Sequence, residues 1–126
     1  MLKSVELHHV SLEVKDLEIA KEFYKEILLL EELDRPTFDF KGAWFAIGGQ
    51  QLHLIENPNK KEGRSMIDSR GHHYAIRVVD YDEALMWLKD KGVEVVEKPT
   101  SKSGFAQIFC LDPDGHIIEI HVERTK

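Results

Sequence analysis

The chain contains an internal repeat, which limits the folds that the sequence can adopt. Residues 8–14 (HHVSLEV) align with residues 72–78 (HHYAIRV) at an offset of 64, and residues 52–54 (LHL) align with residues 118–120 (IEI) at an offset of 66. The segments at 8–14 and 72–78 alternate in side-chain character, which is typical of a strand with one covered face. Two copies are too few for a solenoid. The repeat therefore predicts an α+β fold of two βαβββ modules related by a pseudo-twofold.

Each module is predicted to run as a strand, a helix and three further strands. Asp16 and either Asp80 or Asp82 are the expected helix N-caps, because an Asp side chain accepts hydrogen bonds from the first helical amides. Gly92 is expected to end the second helix. The predicted strands cover 8–14, 30–33, 38–47 and 50–56 in module one and 72–79, 93–96, 105–111 and 117–122 in module two, and the first helix covers about 17–29.

The 126 residues are enough for one domain with a hydrophobic core. The polar stretch 57–70, which includes Pro58 and Gly63, is predicted to be a linker or a mobile loop. We therefore expect a single domain over residues 1–126. In it, module one covers about 5–58, a linker about 59–70 and module two about 71–123.

The composition argues against several classes of function. The formal net charge is -6 and no basic cluster is present, so a nucleic-acid partner is not expected. No apolar run approaches the roughly 20 residues that a membrane helix needs. The single cysteine, Cys110, rules out an internal disulfide and suits a reducing compartment, so we expect a cytoplasmic protein. Seven histidines are many for this length and are the first indication of metal chemistry.

Strand alternation selects four candidate metal ligands on the face opposite the one that should pack on each helix. They are His9, His53, His73 and Glu119. His9 matches His73 in the repeat and His53 matches Glu119, so a pseudo-twofold would bring them together in a metal cleft inside a curved mixed sheet. Three imidazoles and a carboxylate suit Zn²⁺, Ni²⁺, Co²⁺, Fe²⁺ or Mn²⁺. Alternatively, each histidine alone could be a hydrogen-bonded structural residue, and Glu119 could pair with Arg77.

Three segments carry a resemblance to a known family. They are HHVSLEVKDL (8–17) with Phe23-Tyr24, GHHYAIRV (71–78) and DPDGHIIEI (112–120). In their order and spacing the sequence resembles the vicinal-oxygen-chelate superfamily of glyoxalase I, fosfomycin-resistance thiol transferases, extradiol dioxygenases and bleomycin-resistance proteins. The resemblance implies a divalent metal ion bound by the four candidate ligands. It also implies a homodimer in which His9 and His53 of one chain meet His73 and Glu119 of the other.

The resemblance further implies a metal-dependent enzyme that acts on a small molecule with two neighbouring oxygens, by lyase, isomerase, transferase or dioxygenase-like chemistry. Glu119 is the candidate to exchange between metal ligand and general base, and His53 is a second candidate base. Glyoxalase I usually carries Glu at the position of His53, which argues against classical glyoxalase I activity. Fosfomycin-type enzymes use two His and one Glu, which His9, His73 and Glu119 would supply. The alternative is a metal-free protein that sequesters a drug-like ligand, as bleomycin-resistance members do.

Overall fold

A computed structural model describes residues 1–123. In chain order, the elements are β1 (His9–Val14), α1 (Leu17–Glu22, continued by a π-helical turn at Phe23–Ile27), β2 (Glu31–Leu33), β3 (Gly42–Ile47), β4 (Gln50–Glu56), β5 (His73–Arg77), α2 (Tyr81–Asp90), β6 (Val96–Lys98), β7 (Ala106–Leu111) and β8 (Ile117–Val122). The chain divides into two compact units between Lys61 and Glu62. Within the described range, no helix is long and apolar enough to cross a membrane.

Unit one, residues 1–61, is a four-stranded sheet with a helical segment on one face. Its strands lie in the order β1-β4-β3-β2, with β1 parallel to β4 and the other neighbours antiparallel. The carboxylate of Asp16 accepts a hydrogen bond from the amide of Ile19 at 3.2 Å, as expected of an N-cap. Residues without exposed area form the core between the helical segment and the sheet: Val14, Ala20, Tyr24, Phe45, Leu52 and Leu54.

Unit two, which begins at Glu62, repeats this architecture. Its strands lie in the order β5-β8-β7-β6, again with the first pair parallel and the others antiparallel. Asp80 caps α2 by accepting from the amide of Glu83 at 2.9 Å. The core includes the buried side chains Leu88, Ile108, Phe109, Ile118 and Ile120. The predicted α+β class and the duplicated βαβββ order are therefore confirmed.

The two helical segments differ because unit one has one more residue between the N-cap and the helix end. In unit two the first residue with a positive φ after Asp80 is Gly92, at 74°. In unit one the corresponding residue after Asp16 is Leu29, at 58°. The π-helical turn at Phe23–Ile27 accommodates the extra residue, since such a turn holds one residue more than an α-helical turn. The helical segment thus ends at residue 27, two residues before the predicted end of the first helix.

Two predicted strand boundaries are wrong for identifiable reasons. Strand β3 begins at Gly42 rather than at residue 38, because Arg35 donates from Nη2 to the carbonyl oxygen of Phe40 at 3.0 Å and holds residues 34–41 as a loop. Strand β6 covers Val96–Lys98 rather than 93–96, because the amide of Val93 bonds to the carbonyl oxygen of Leu88 and completes the end of α2.

The stretch 57–70, predicted to be a linker or a mobile loop, contains no helix or strand, but it has defined contacts within unit two. Gly63 lies directly against the carbonyl group of Asp114, in the turn that precedes β8. Ser69 accepts a hydrogen bond from Nζ of Lys98 at 2.9 Å. Residues 62–70 are therefore attached to the sheet that carries two of the candidate ligands.

Candidate metal centre

The strand register places the candidate ligands at equivalent positions in the two sheets. His53 on β4 lies opposite Ser11 on β1 and Trp44 on β3. Glu119 on β8 lies in the same way opposite Ala75 on β5 and Phe109 on β7. His9 and His73 are the first residues of β1 and β5. Each unit therefore presents one pair of candidates beside one aromatic ring.

In unit two, His73 and Glu119 are in direct contact. Nε2 of His73 lies 3.1 Å from Oε1 of Glu119. Glu119 is only 5% exposed, and its Oε2 lies 3.1 Å from Nδ1 of His121. Glu119 therefore pairs with two imidazoles and not with Arg77, which was the alternative partner. This arrangement explains how a carboxylate is accommodated in an apolar strand, since a buried charge needs partners.

The backbone fixes the tautomer of His73. Its Nδ1 lies 2.8 Å from the carbonyl oxygen of Gly71, which can only accept a hydrogen bond, so Nδ1 carries the proton. In the neutral imidazole, Nε2 then directs a lone pair towards Oε1 of Glu119. Two acceptors 3.1 Å apart need a cation, either a proton or a metal ion. Metal–ligand bonds of about 2.1 Å would let both atoms reach one ion, so this pair suits a divalent metal.

In unit one, His9 and His53 are stacked. Their ring centroids are 4.2 Å apart with an interplanar angle of 18°, and Trp44 covers the other face of His53 at 4.3 Å. Nε2 of His53 lies 2.8 Å from Oε1 of Gln51, so this nitrogen donates and Nδ1 keeps the lone pair. The in-plane lone pairs of stacked rings run nearly parallel, so the exposed His9 ring must rotate before both can bind one ion.

His53 is poised to stay neutral. Burial lowers its pKa from the ordinary value of 6.5, and the adjacent imidazoles of His9 and His8 and the guanidinium of Arg35 lower the pKa further. A neutral imidazole is the form that binds a metal. Strict alternation from residue 8 would point the His8 side chain away from His9, but its Nδ1 lies 2.9 Å from Nδ1 of His9. The reason is that β1 begins at His9, so strand alternation does not apply to His8.

The four predicted ligands thus form two pairs, one in each unit. The described residues contain no group of three or more His, Cys, Asp or Glu side chains that could hold a metal ion. Sequence reasoning missed two contacts of these pairs, the hydrogen bonds from His53 to Gln51 and from His73 to the Gly71 carbonyl. Strand alternation could have suggested Gln51, which lies two residues from His53 on the same face.

The fold and the paired candidate residues lead to a known family. Residues 6–120 match the model of the glyoxalase/bleomycin resistance protein/dioxygenase superfamily. The chain therefore belongs to this superfamily, and the resemblance seen in the sequence is confirmed.

Relatives and solved structures agree with this assignment. The chain is 28% identical to glyoxylase I 4 from Arabidopsis thaliana, over 90% of this chain and 68% of that protein. It is 31% identical to the fosfomycin resistance protein FosX from Listeria monocytogenes, over 95% of this chain and 94% of that protein. A glyoxalase family protein from Bacillus anthracis superposes with a TM-score of 0.83 at 25% identity, covering 98% of this chain and all of that chain. A mutant of the Listeria FosX, complexed with Mn(II) and 1S,2S-dihydroxypropylphosphonic acid, superposes with a TM-score of 0.75 at 25% identity, covering 98% and 95%.

Proposed function

We propose that this protein is a metal-dependent enzyme that acts on a small molecule with two neighbouring oxygens. The contact between Nε2 of His73 and Oε1 of Glu119 carries this proposal, because an imidazole nitrogen and a carboxylate oxygen 3.1 Å apart can bind the same divalent ion. The names of the similar proteins, which include a glyoxylase and a fosfomycin resistance protein crystallised with Mn(II), support it.

We propose that His9, His53, His73 and Glu119 hold the ion, which is Zn²⁺, Ni²⁺, Co²⁺, Fe²⁺ or Mn²⁺. Once bound, the ion supplies Lewis-acid polarisation of two substrate oxygens. Two copies of the chain would complete the ligand set in a homodimer, with His9 and His53 from one chain and His73 and Glu119 from its partner. The pairing of candidates within each unit supports this arrangement, because neither pair alone can hold an ion firmly.

The proton chemistry would fall to Glu119 and His53. Glu119 accepts from Nδ1 of His121 through Oε2 while Oε1 faces His73, so the two oxygens can serve different roles. Oε1 would accept a substrate proton when it is released from the ion, and the hydrogen bond from His121 would keep the carboxylate in place during the transfer. His53 would serve as the second base only when its Nδ1 lone pair is released from the ion, and its lowered pKa keeps the released imidazole in the neutral form that can accept a proton.

Metal analysis of purified, tag-free protein tests the proposal. We expect near-stoichiometric metal in the parent and loss of the metal in His9→Ala and Glu119→Gln. The control is His72→Ala, because His72 is an exposed neighbour of His73 that lies outside β5. Absence of metal after reconstitution with each candidate ion would overturn the enzyme proposal and favour a protein that sequesters its ligand.

Mixing the two variants tests the shared site. If His9 and Glu119 of different chains bind one ion, a heterodimer of His9→Ala with Glu119→Gln has one intact site, and roughly a quarter of the sites in an equal mixture regain metal. If both residues of one chain bind the same ion, no site is regained. The mixture is refolded together so that the chains exchange.

A further inference from the structure

Unit one carries an aromatic surface that continues from the candidate ligands. The stack of His9, His53 and Trp44 is followed by Phe38, whose centroid lies 6.3 Å from that of Trp44. Phe38 is in turn stacked on Phe40 at 5.2 Å with an interplanar angle of 17°. These rings extend from the start of β1 to the loop 34–41. A group attached to a substrate bound at His9 and His53 could therefore contact this aromatic surface.

Arg35 stands over the far end of this surface. Its guanidinium carbon lies 4.7 Å from the centroid of Phe38 and 5.0 Å from that of Phe40, and its Nη2 donates to the Phe40 carbonyl. Gly42 makes room for it, because a Cβ on residue 42 would lie 2.9 Å from Nη2. The side chain is therefore held in place by packing and one hydrogen bond, which leaves further N–H groups as donors.

Within residues 1–123, no carboxylate forms an ion pair with the guanidinium of Arg35. Arg35 borders an open cavity of about 380 Å³, and the other lining residues are Leu17, Glu18, Phe40, Lys41, Gly42 and Glu56. The carboxylate of Glu56 is engaged by the amide of Leu17 at 3.0 Å. A preorganised guanidinium beside a cavity is a good partner for a ligand anion.

The fold does not require these residues. The corresponding loop of unit two, between β6 and β7, contains Pro99, Lys102 and Phe105 but no arginine. Each unit forms its own four-stranded sheet with the same strand order, so the cluster in unit one is an addition to the shared architecture. The exposed fractions of Phe38 and Phe40, 43% each, also show that the two rings are not core residues.

We propose that Arg35, Phe38 and Trp44 form a specificity subsite for substrates whose neighbouring oxygens are attached to a flat, conjugated group that bears a carboxylate or a similar anion. The flat group packs on Phe38 and Trp44, and the anion binds the Arg35 guanidinium. This inference rests on the proposed function for the metal end of the substrate, whereas the anion end depends only on unit one.

Two matched probes test the subsite in metal-loaded protein: catechol, and 3,4-dihydroxybenzoate, which adds the anion. Binding is followed by the fluorescence of Trp44 in a Trp87→Phe background. We expect roughly tenfold tighter binding of 3,4-dihydroxybenzoate, a preference that Arg35→Met abolishes, since a charge-assisted hydrogen bond is lost. Lys102→Met, which removes a cation from the corresponding loop of unit two, keeps the preference. Phe38→Leu weakens both probes to a similar extent.

Benzoate with metal-free protein separates failure of the subsite from failure of the metal site. We expect weak quenching of Trp44 by benzoate in the parent and none in Arg35→Met, whether or not the protein binds metal. Equal affinity for catechol and 3,4-dihydroxybenzoate, or a preference that survives in Arg35→Met, would overturn the subsite. A benzoate response that depends on Arg35, in a protein that never takes up metal, would keep the subsite and reject the enzyme.

Discussion

Gly115 lies so close to the backbone of Arg64 that no side chain fits between them. A Cβ on residue 115 would be 2.5 Å from the amide nitrogen of Arg64 and 2.6 Å from its carbonyl oxygen. Gly115 also has a φ of 83°. The segment around Arg64 is thus packed on the turn from which β8, with Glu119, begins.

We expect Gly115→Ala to be far more destabilising than Gly104→Ala. Gly104 has a similar φ of 89° but nothing within 4 Å of a Cβ, so its replacement costs only backbone strain, about 1 kcal/mol. Gly115→Ala adds a backbone collision, and we expect a loss of about 3 kcal/mol or more in the free energy of unfolding. Denaturant unfolding of both variants measures this. Equal losses of unfolding free energy in the two variants would mean that residues 62–71 move aside at little energetic cost and do not stabilise the turn before β8.

The end of the first helical segment should be improved by glycine. Leu29 has a φ of 58° and is 62% exposed. Its Cβ makes the left-handed backbone conformation unfavourable, and its exposed side chain contributes little packing in return. We expect Leu29→Gly to raise the free energy of unfolding by about 0.5–1 kcal/mol, as at other left-handed helix ends. Leu29→Ala is the control, because it keeps the Cβ and should give no such gain. Thermal unfolding of the parent and the two variants measures this, and a Leu29→Gly variant no more stable than Leu29→Ala would contradict the prediction.

In the metal-free protein, the direction in which His53 changes stability with pH follows from its lowered pKa. Its folded pKa lies below 6.5, so the unfolded chain binds more protons as the pH falls through 6.5 and below. The contribution of His53 to stability is therefore fully present above about pH 6.5 and is lost as the pH falls. Burial is the main cause, so Trp44→Leu, which uncovers one face of the ring, should raise the pKa. NMR titration of the imidazole carbons reports it, and an unchanged pKa in Trp44→Leu would contradict this account.

Cys110 should be chemically inert in the folded protein. Burial raises the pKa of its thiol to about 12, and the nearby carboxylate of Asp112 adds to the rise. At pH 8 almost no thiolate exists, so a disulfide reagent such as Ellman's reagent should react only after unfolding. The rate should then follow the unfolding rate across denaturant concentrations. Fast labelling without denaturant would show that β7 opens locally.

The sequence was sufficient for the features that depend on local periodicity. Alternation in β1, β4, β5 and β8 placed His9 and His53 on one face of their sheet, where the two rings stack, because side chains alternate strictly along a strand. It placed His73 and Glu119 on one face in the same way, and these two side chains are in contact. It failed where a single tertiary contact overrode local propensity. Phe38 and Phe40 have strong strand propensity, yet the interactions of Arg35 with them keep residues 34–41 out of β3. It could not identify the Gly71 carbonyl as the partner of His73, because a backbone acceptor leaves no trace in residue type.

The last prediction concerns His121, which contacts Oε2 of Glu119, whereas His73 contacts Oε1. Its Nδ1 lies 3.1 Å from Oε2, so His121→Leu would leave one oxygen of a buried carboxylate without its donor. We expect roughly tenfold weaker metal binding, as is usual when the hydrogen-bond partner of a ligand is removed. We also expect a loss of about 1–3 kcal/mol in the stability of the metal-free protein. His121→Asn, which can still donate towards Oε2, should recover part of both. Metal titration and denaturant unfolding measure the two effects. Unchanged metal affinity with reduced stability would mean that His121 supports the strand and not the orientation of Glu119.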